Sequence, residues 1–355
     1  MQFARPKKKD GPVVGLVVEP GFVAAAQVSV NGVLGVERCA YRSLEPALVP
    51  EGEVIDPDGL ALVLKALFDE SGLDRKVRVG IASSRVVVRT LDLPPLLSGK
   101  DLDAAVRFQA TDELPIPLDQ AVLDYQLVGA VDTPDGPRTR VIVVVAVRDS
   151  VMRLLTAVRR AGLKPAGIDL SAFAMIRALH RPEGAEPLTT LYVNAAGMTT
   201  LAVAHAGTCV FTRVAASGME AMANALAPRH ELTAEHARGW LEHVGRGPAG
   251  APVEGDERIV ASARDTLEEG VRRVAADVQG TLTFYGQQPG AEPVRRVVLT
   301  GPTAALPAFV EGFGAALGTE VEVGRVPELR EGALNGIAAE TMAVPAGLAV
   351  TEVAS

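Results

Sequence analysis

One motif appears twice in this chain and limits what it can fold into. Residues 13–42 begin "VVGLVVEPGFVAAAQVSVNG", with β-rich runs at 13–18 and 22–30 joined by Glu19-Pro20-Gly21. Asn31-Gly32 is a hairpin signal, and residues 33–42 form a third run. Residues 189–215, "TTLYVNAAGMTTLAVAHAGTCVFTRVA", again read as strand, turn, strand, turn, strand. The first meander leads into 58–71, where Leu60, Val63, Leu64 and Leu67 share one helical face and Gly72 is a stop, and then into the strand "KVRVGIA". A chain of 355 residues is too long for one simple layer, and the echo implies two halves of like topology.

A second module lies between them. "RVVVRTLDLP" is a strand ending at Pro94-Pro95. "GKDLDAAVRFQATDEL" is an amphipathic helix carrying Leu102, Ala105, Val106 and Gln109, closed by Pro115 and Pro117. Two strands follow around a turn at 132–137, then the helix "DSVMRLLTAVRRAG", with Asp149 or Ser150 as N-cap and Gly162 as its end. The order predicts a small sheet sandwiched with two helices. "LKPAGIDLSAFAMIRAL" returns to the first module, and the break from Arg181 to Pro187 leads into the second half. There, helices are predicted around 217–227, 233–244 and 256–286, with a Gly/Pro linker at 245–255. "RRVVLTGPTAALPAFVEGFGAAL" is strand, turn, helix, and the last helix ends in "MAVPAGLAV".

Net charge of −8 argues against a nucleic-acid binder, which carries a basic face. Cys39 and Cys209 are too few for a metal cluster and read as buried thiols. The five histidines, at 180, 205, 230, 236 and 243, show no metal spacing; His236 and His243 flank Trp240 on one helix and read as packing. The first residues hold no apolar signal core, and the apolar run Val141–Val147 is too short to span a bilayer. The expectation is a soluble, cytoplasmic protein with no direct membrane insertion, Lys7, Lys8 and Lys9 lying in a solvated tail.

Three segments, in order, carry a resemblance. "VVVRTLDLPPL", "AVRFQATDELPIPLDQAVLDYQLVG" and "RRAGLKPAGIDLSAFAMIRAL" resemble the strand with Leu-Pro, the helix with Pro-x-Pro and Asp-Tyr-Gln, and the Ala-Gly-Leu-Lys-Pro return of the PilM family. PilM proteins are actin-like assembly proteins of type IV pilus systems, similar to the cell-division protein FtsA. The resemblance implies an α/β, two-lobed actin-like ATPase (RNase H-like) fold with an inserted α/β subdomain. The first actin-like subdomain would be 1–87 and 163–187 with a C-terminal helix at 340–355, the insert 88–162 and the second half 188–339. It further implies a cytoplasmic scaffold, peripheral at the inner face of the membrane. Its partner would be the cytoplasmic tail of a PilN-like membrane protein, in a cleft between first subdomain and insert, with contacts to other type IV pilus inner-membrane components.

Actin-like ATPases cradle phosphates in two turns and need an Asp near each to hold Mg²⁺ or orient water. The family's first turn is Gly-Leu-Asp-Ile-Gly with a downstream Lys. Here it is Gly15-Leu16-Val17-Val18-Glu19, with Ala24 where the Lys would fall, and Glu19 would set negative charge beside a phosphate. The second turn aligns Val193, or Asn194 after a one-residue slip, with the second Asp. In the third, Pro302 replaces the second Gly after Gly301. The expectation is a vestigial nucleotide site made of Gly15, Gly21, Gly197, Thr199, Thr200 and Gly301, with ATP and Mg²⁺ binding weakened and no catalytic residue. A working actin-like ATPase and a metabolite kinase with Asp169 as base remain alternatives. Arg85 and Arg89, on one side of a predicted strand, are expected to line the partner groove.

Overall fold

The computed structural model describes residues 12–95, 99–113, 117–133, 136–181, 187–288, 290–334 and 336–350; Lys7, Lys8, Lys9 and Pro115 fall outside them. The first lobe opens with β1 (Val14–Glu19), β2 (Phe22–Val30) and β3 (Leu34–Ser43), followed by α1 (Pro57–Ser71) and β4 (Lys76–Ile81). The Asp56 carboxyl accepts the Asp58 and Gly59 N–H groups to start α1, and Gly72, at φ 62°, ends it. Leu60, Leu64 and Leu67 are buried, the stripe the sequence predicts.

The insert comprises β5 (Val87–Leu93), α2 (Gly99–Glu113), β6 (Ala121–Thr133) and β7 (Gly136–Val147). Its sheet runs β5-β7-β6, all antiparallel, and α2 covers one face through Leu102 and Val106. The next helix, α3 (Arg148–Arg160), departs from expectation in two ways. It has no side-chain N-cap: β7 runs straight into it at Val147, which leaves Asp149 and Ser150 inside its first turn. Nor does it simply cover the insert sheet. Its two apolar edges face different ways, Leu154, Ala157 and Val158 entering the core under α1, while Val151 and Leu155 meet Ala146 and Val122 of the insert.

The chain continues through β8 (Lys164–Leu170) and α4 (Ser171–Leu179) into the second lobe: β9 (Thr189–Ala195), β10 (Thr199–His205), β11 (Thr208–Ala215), α5 (Met219–Leu226), α6 (Ala234–Gly245), α7 (Glu257–Gly286), β12 (Arg296–Thr300) and α8 (Pro307–Leu317). Then come β13 (Glu322–Val323), β14 (Glu328–Leu329) and α9 (Ala343–Ala349). The first sheet runs β14-β3-β2-β1-β4-β8 and the second β11-β10-β9-β12-β13. Without β14 the two orders match strand for strand. In each, the first strand pairs antiparallel with the second and parallel with the fourth. β14 pairs in parallel with β3, so the chain rejoins the first sheet at Glu328, ahead of residue 340 where the sequence reading places the return.

A core between the two sheets joins the lobes. α4 and α9 bring Met175, Ala346 and Leu348 together with Val17 and Ala24 of the first sheet and Tyr192, Ala202 and Val298 of the second. α9 sits very close to its neighbours: a Cβ on Gly347 would run into the Ala174 carbonyl, and one on Gly15 into the Pro345 carbonyl. Arg177 and Arg78 bind the carbonyls at its end, Arg177 Nε donating to Gly347 O at 3.1 Å and Arg78 Nη1 to Leu348 O at 2.8 Å. Gly347→Ala is therefore expected to lower stability by about 1–3 kcal/mol through overpacking. Gly239→Ala, on α6 with nothing within 4 Å of the new methyl, is expected to raise stability by up to about 1 kcal/mol. Urea unfolding midpoints of the two variants check both signs.

Candidate functional site: interlobe cleft and insert groove

The turns after β1 and β9 end the first strand of each sheet and meet face to face. A Cβ on Gly197 would collide with the Pro20 carbonyl, and Gly21, at φ 87°, leaves its turn just as bare. Glu19 lies between the turns, only 1% exposed. Its Oε2 accepts the Met198 N–H at 3.4 Å, while its Oε1 has no hydrogen-bond partner among the described residues. Burial pushes this carboxyl up to about 8, against an ordinary 4.5, with the Met198 N–H opposing. At neutral pH Glu19 is thus mostly un-ionised, which corrects the expectation of a negative charge beside the turn.

The far side of Gly21 is covered by a buried ion pair from the second lobe. Arg238 Nη1 donates to Glu220 Oε2 at 2.7 Å, and a Cβ on Gly21 would lie 2.7 Å from that same nitrogen. Tyr41 stacks on Phe22 nearby, ring centroids 5.2 Å apart. Sequence reasoning missed Glu220 and Arg238. The signal was an arginine inside the buried stripe of α6, between Ala237 and Leu241.

Of the other expected residues, only Pro302 lines the open part of this cleft. Val17, Ala24 and Val193 are core residues. Thr199 Oγ1 donates to Ser217 O at 2.7 Å, and the buried Thr200 hydroxyl has no partner among the described residues. Gly301, at φ 91°, presses toward Asn194 Oδ1 and donates its N–H to Glu340 O at 3.0 Å. Pro302 opens the following short 3₁₀ turn. Gly15 is not at a turn edge; it lies within β1, against α9. Outward of Tyr41 and Pro302 the cleft widens to about 960 Å³, with Glu242, Arg246 and Arg330 on its rim. Among the described residues no group of three His, Cys, Asp or Glu is placed to hold a metal ion. Asp169 is ion-paired with Arg177 and takes the Leu170 N–H, so it braces α4. Cys39 and Cys209 are buried and free, their thiols raised by burial to about 11 and about 12.

The second place is the seam between first lobe and insert. A cavity of about 30 Å³ there is lined by Glu53, Ser83, Arg85, Val86, Ala146 and Val151, among others. Ser83 Oγ donates to Glu53 Oε1 at 2.6 Å, and Arg153 Nε donates to Val54 O at 2.8 Å. Arg85 and Arg89 do not share a strand face: β5 begins at Val87, and Arg85 sits in the turn before it, its N–H donated to Ser83 Oγ. Arg89 is exposed, gives Nη1 to the Val88 carbonyl and is not one of the residues lining this cavity. Asp92, the nearest carboxylate along the same strand, is held by Arg140 Nε at 2.7 Å.

A chain from the PilM–PilN type IV pilus biogenesis complex is 23% identical and superposes with a TM-score of 0.76, covering 96% of this chain and 98% of that one. The ethanolamine utilization protein EutJ of Carboxydothermus hydrogenoformans gives 16% identity, a TM-score of 0.53 and coverages of 96% and 90%. MreB5 of Spiroplasma citri, bound to ADP, gives 12%, 0.50, and 95% and 94%. These likenesses establish the fold, an actin-like pair of lobes. The family described as type IV pilus assembly protein PilM matches residues 22–328. Spanning β2 and β3 of the first meander, the insert and the second sheet, that match makes the chain a member of the PilM family of type IV pilus assembly proteins.

Proposed function

We propose that this chain is a scaffold of the type IV pilus inner-membrane platform. In this reading it is cytoplasmic and peripheral to the membrane, and it holds the cytoplasmic tail of a PilN-like protein in the groove between first lobe and insert. The observation that carries the reading is the family match over residues 22–328; the full-length likeness to a chain of a PilM–PilN complex supports the choice of partner. None of the described helices is long and apolar enough to cross a membrane, so attachment would come through partners. The space at that seam is only about 30 Å³, so the tail would lie over it against Val86, Ala146 and Val151, and the exposed Arg85 beside them can bind a backbone carbonyl or a carboxylate.

The same reading holds that the cleft does not turn over nucleotide. Val17, Ala24 and Val193 offer no ligand to phosphate or to hydrated Mg²⁺. Pro302 has no N–H to give. Glu19 and the Pro20 carbonyl occupy the space between the two turns. These residues do not fit Mg·ATP.

Three measurements test the proposal. Calorimetric titration of the cytoplasmic tail of a PilN-like protein from the same organism should show saturable binding, and Arg85→Ala should weaken it by about 1.5–3 kcal/mol while Arg89→Ala changes it little. No binding by the wild-type chain would sink the partner assignment. Titration with Mg·ATP should show no site tighter than about 1 mM; a low-micromolar constant would restore the ATPase reading. The third concerns pH. The folded chain keeps a proton on Glu19 up to about 8 that the unfolded chain releases near 4.5, so this group's contribution to stability falls as pH rises between those values. Glu19→Gln should therefore gain stability over wild type on going from pH 5 to pH 8, read as the difference in urea midpoint.

A further inference from the structure

We propose that the Glu19 side chain is an internal occupant of the anion position between the two turns, so that the lobes stay together, and the chain grips its partner, without any nucleotide. This rests on the reading of the chain as a pilus assembly protein whose cleft takes no nucleotide. The turn after β9 belongs to the second lobe and would present its backbone N–H groups to a phosphate. Its Met198 N–H instead meets an oxygen of Glu19, which belongs to the first lobe. A side chain thereby makes the cross-cleft link that a ligand makes in a nucleotide-driven relative.

Two further observations place the link in a closed, buried seam. The lobes touch backbone to backbone at Gly197 and Pro20, where no side chain would fit. On the other side of the first turn, the Glu220–Arg238 pair of the second lobe packs on Gly21, and both side chains are more than nine-tenths buried. The carboxyl between these contacts has no ion-pair partner among the described residues, and burial keeps it largely un-ionised near neutral pH. An un-ionised carboxyl still accepts a hydrogen bond, and it needs no counter-cation in a site this enclosed.

The test is hydrogen exchange on the full chain, read in peptides covering 194–200, for wild type, Glu19→Gly and Glu19→Gln, each with and without Mg·ATP. Glu19→Gly should speed exchange at this turn by about tenfold or more, as expected when a buried amide loses its acceptor. Glu19→Gln keeps an acceptor oxygen and should exchange as wild type does, which separates a lost bond from a misfolded chain. The wild-type tail dissociation constant should agree within about twofold with and without Mg·ATP. Unchanged exchange in Glu19→Gly, with no Mg·ATP binding by wild type, would overturn the internal occupant alone. Binding of Mg·ATP by wild type, with tail affinity moving with it, would overturn the nucleotide-free reading beneath it.

Discussion

Where α9 crosses β1 and α4, backbone approaches backbone with no side chain between, and the placing of both lobes follows from that approach. Gly15, Gly80 and Gly347 line the crossing, and at each an added Cβ would strike α9, α4 or a side chain packed there. Close approach lets a short helix fill the space between two sheets with Ala, Val and Leu, in a chain only 4% aromatic. The strands β1 and β9 leave this shared core side by side. Their turns have little freedom in where they end, and they end against one another.

Charge in the interior is handled in two different ways. Near the α4–α9 seam, Asp169 meets Arg177, which also binds the Gly347 carbonyl, and the Glu220–Arg238 pair is similarly matched. Each charge there has an opposite one within hydrogen-bonding reach, the condition under which burial is tolerated. Glu19 has no such match and holds its proton instead. Two answers to the same problem, an opposite charge or a retained proton, thus stand on the two sides of the Gly21 turn.

Much of this was legible in the chain. The two meanders, the α1 stripe, the 30-residue α7 and the insert's β-α-β-β order follow from periodicity and turn residues, which are local signals. What escaped depends on partners far apart in sequence. Nothing local says that α3 divides its apolar edges between two cores. Nothing near Arg85 says that β5 starts two residues later, which takes the two arginines off a common face. The Glu19–Met198 link joins residues 179 apart, and the cover on Gly21 comes from two helices of the other lobe. Such contacts are set by how the lobes close, and propensity carries no trace of that.

The parallel pairing of β14 with β3, and the seating of α9 between the sheets, bear on how the chain is made. The first sheet's opening strands leave the ribosome early, yet the strand that covers their edge and the helix that fills their inner face come roughly 300 residues later. At bacterial rates of about 5–20 residues per second, that gap lasts on the order of 15–60 s. Through that interval Val17 and Ala24 face a space that α9 has yet to enter. The nascent first lobe is thus a natural client for a chaperone, and a message truncated before Glu328 yields an aggregation-prone fragment and not a smaller working domain.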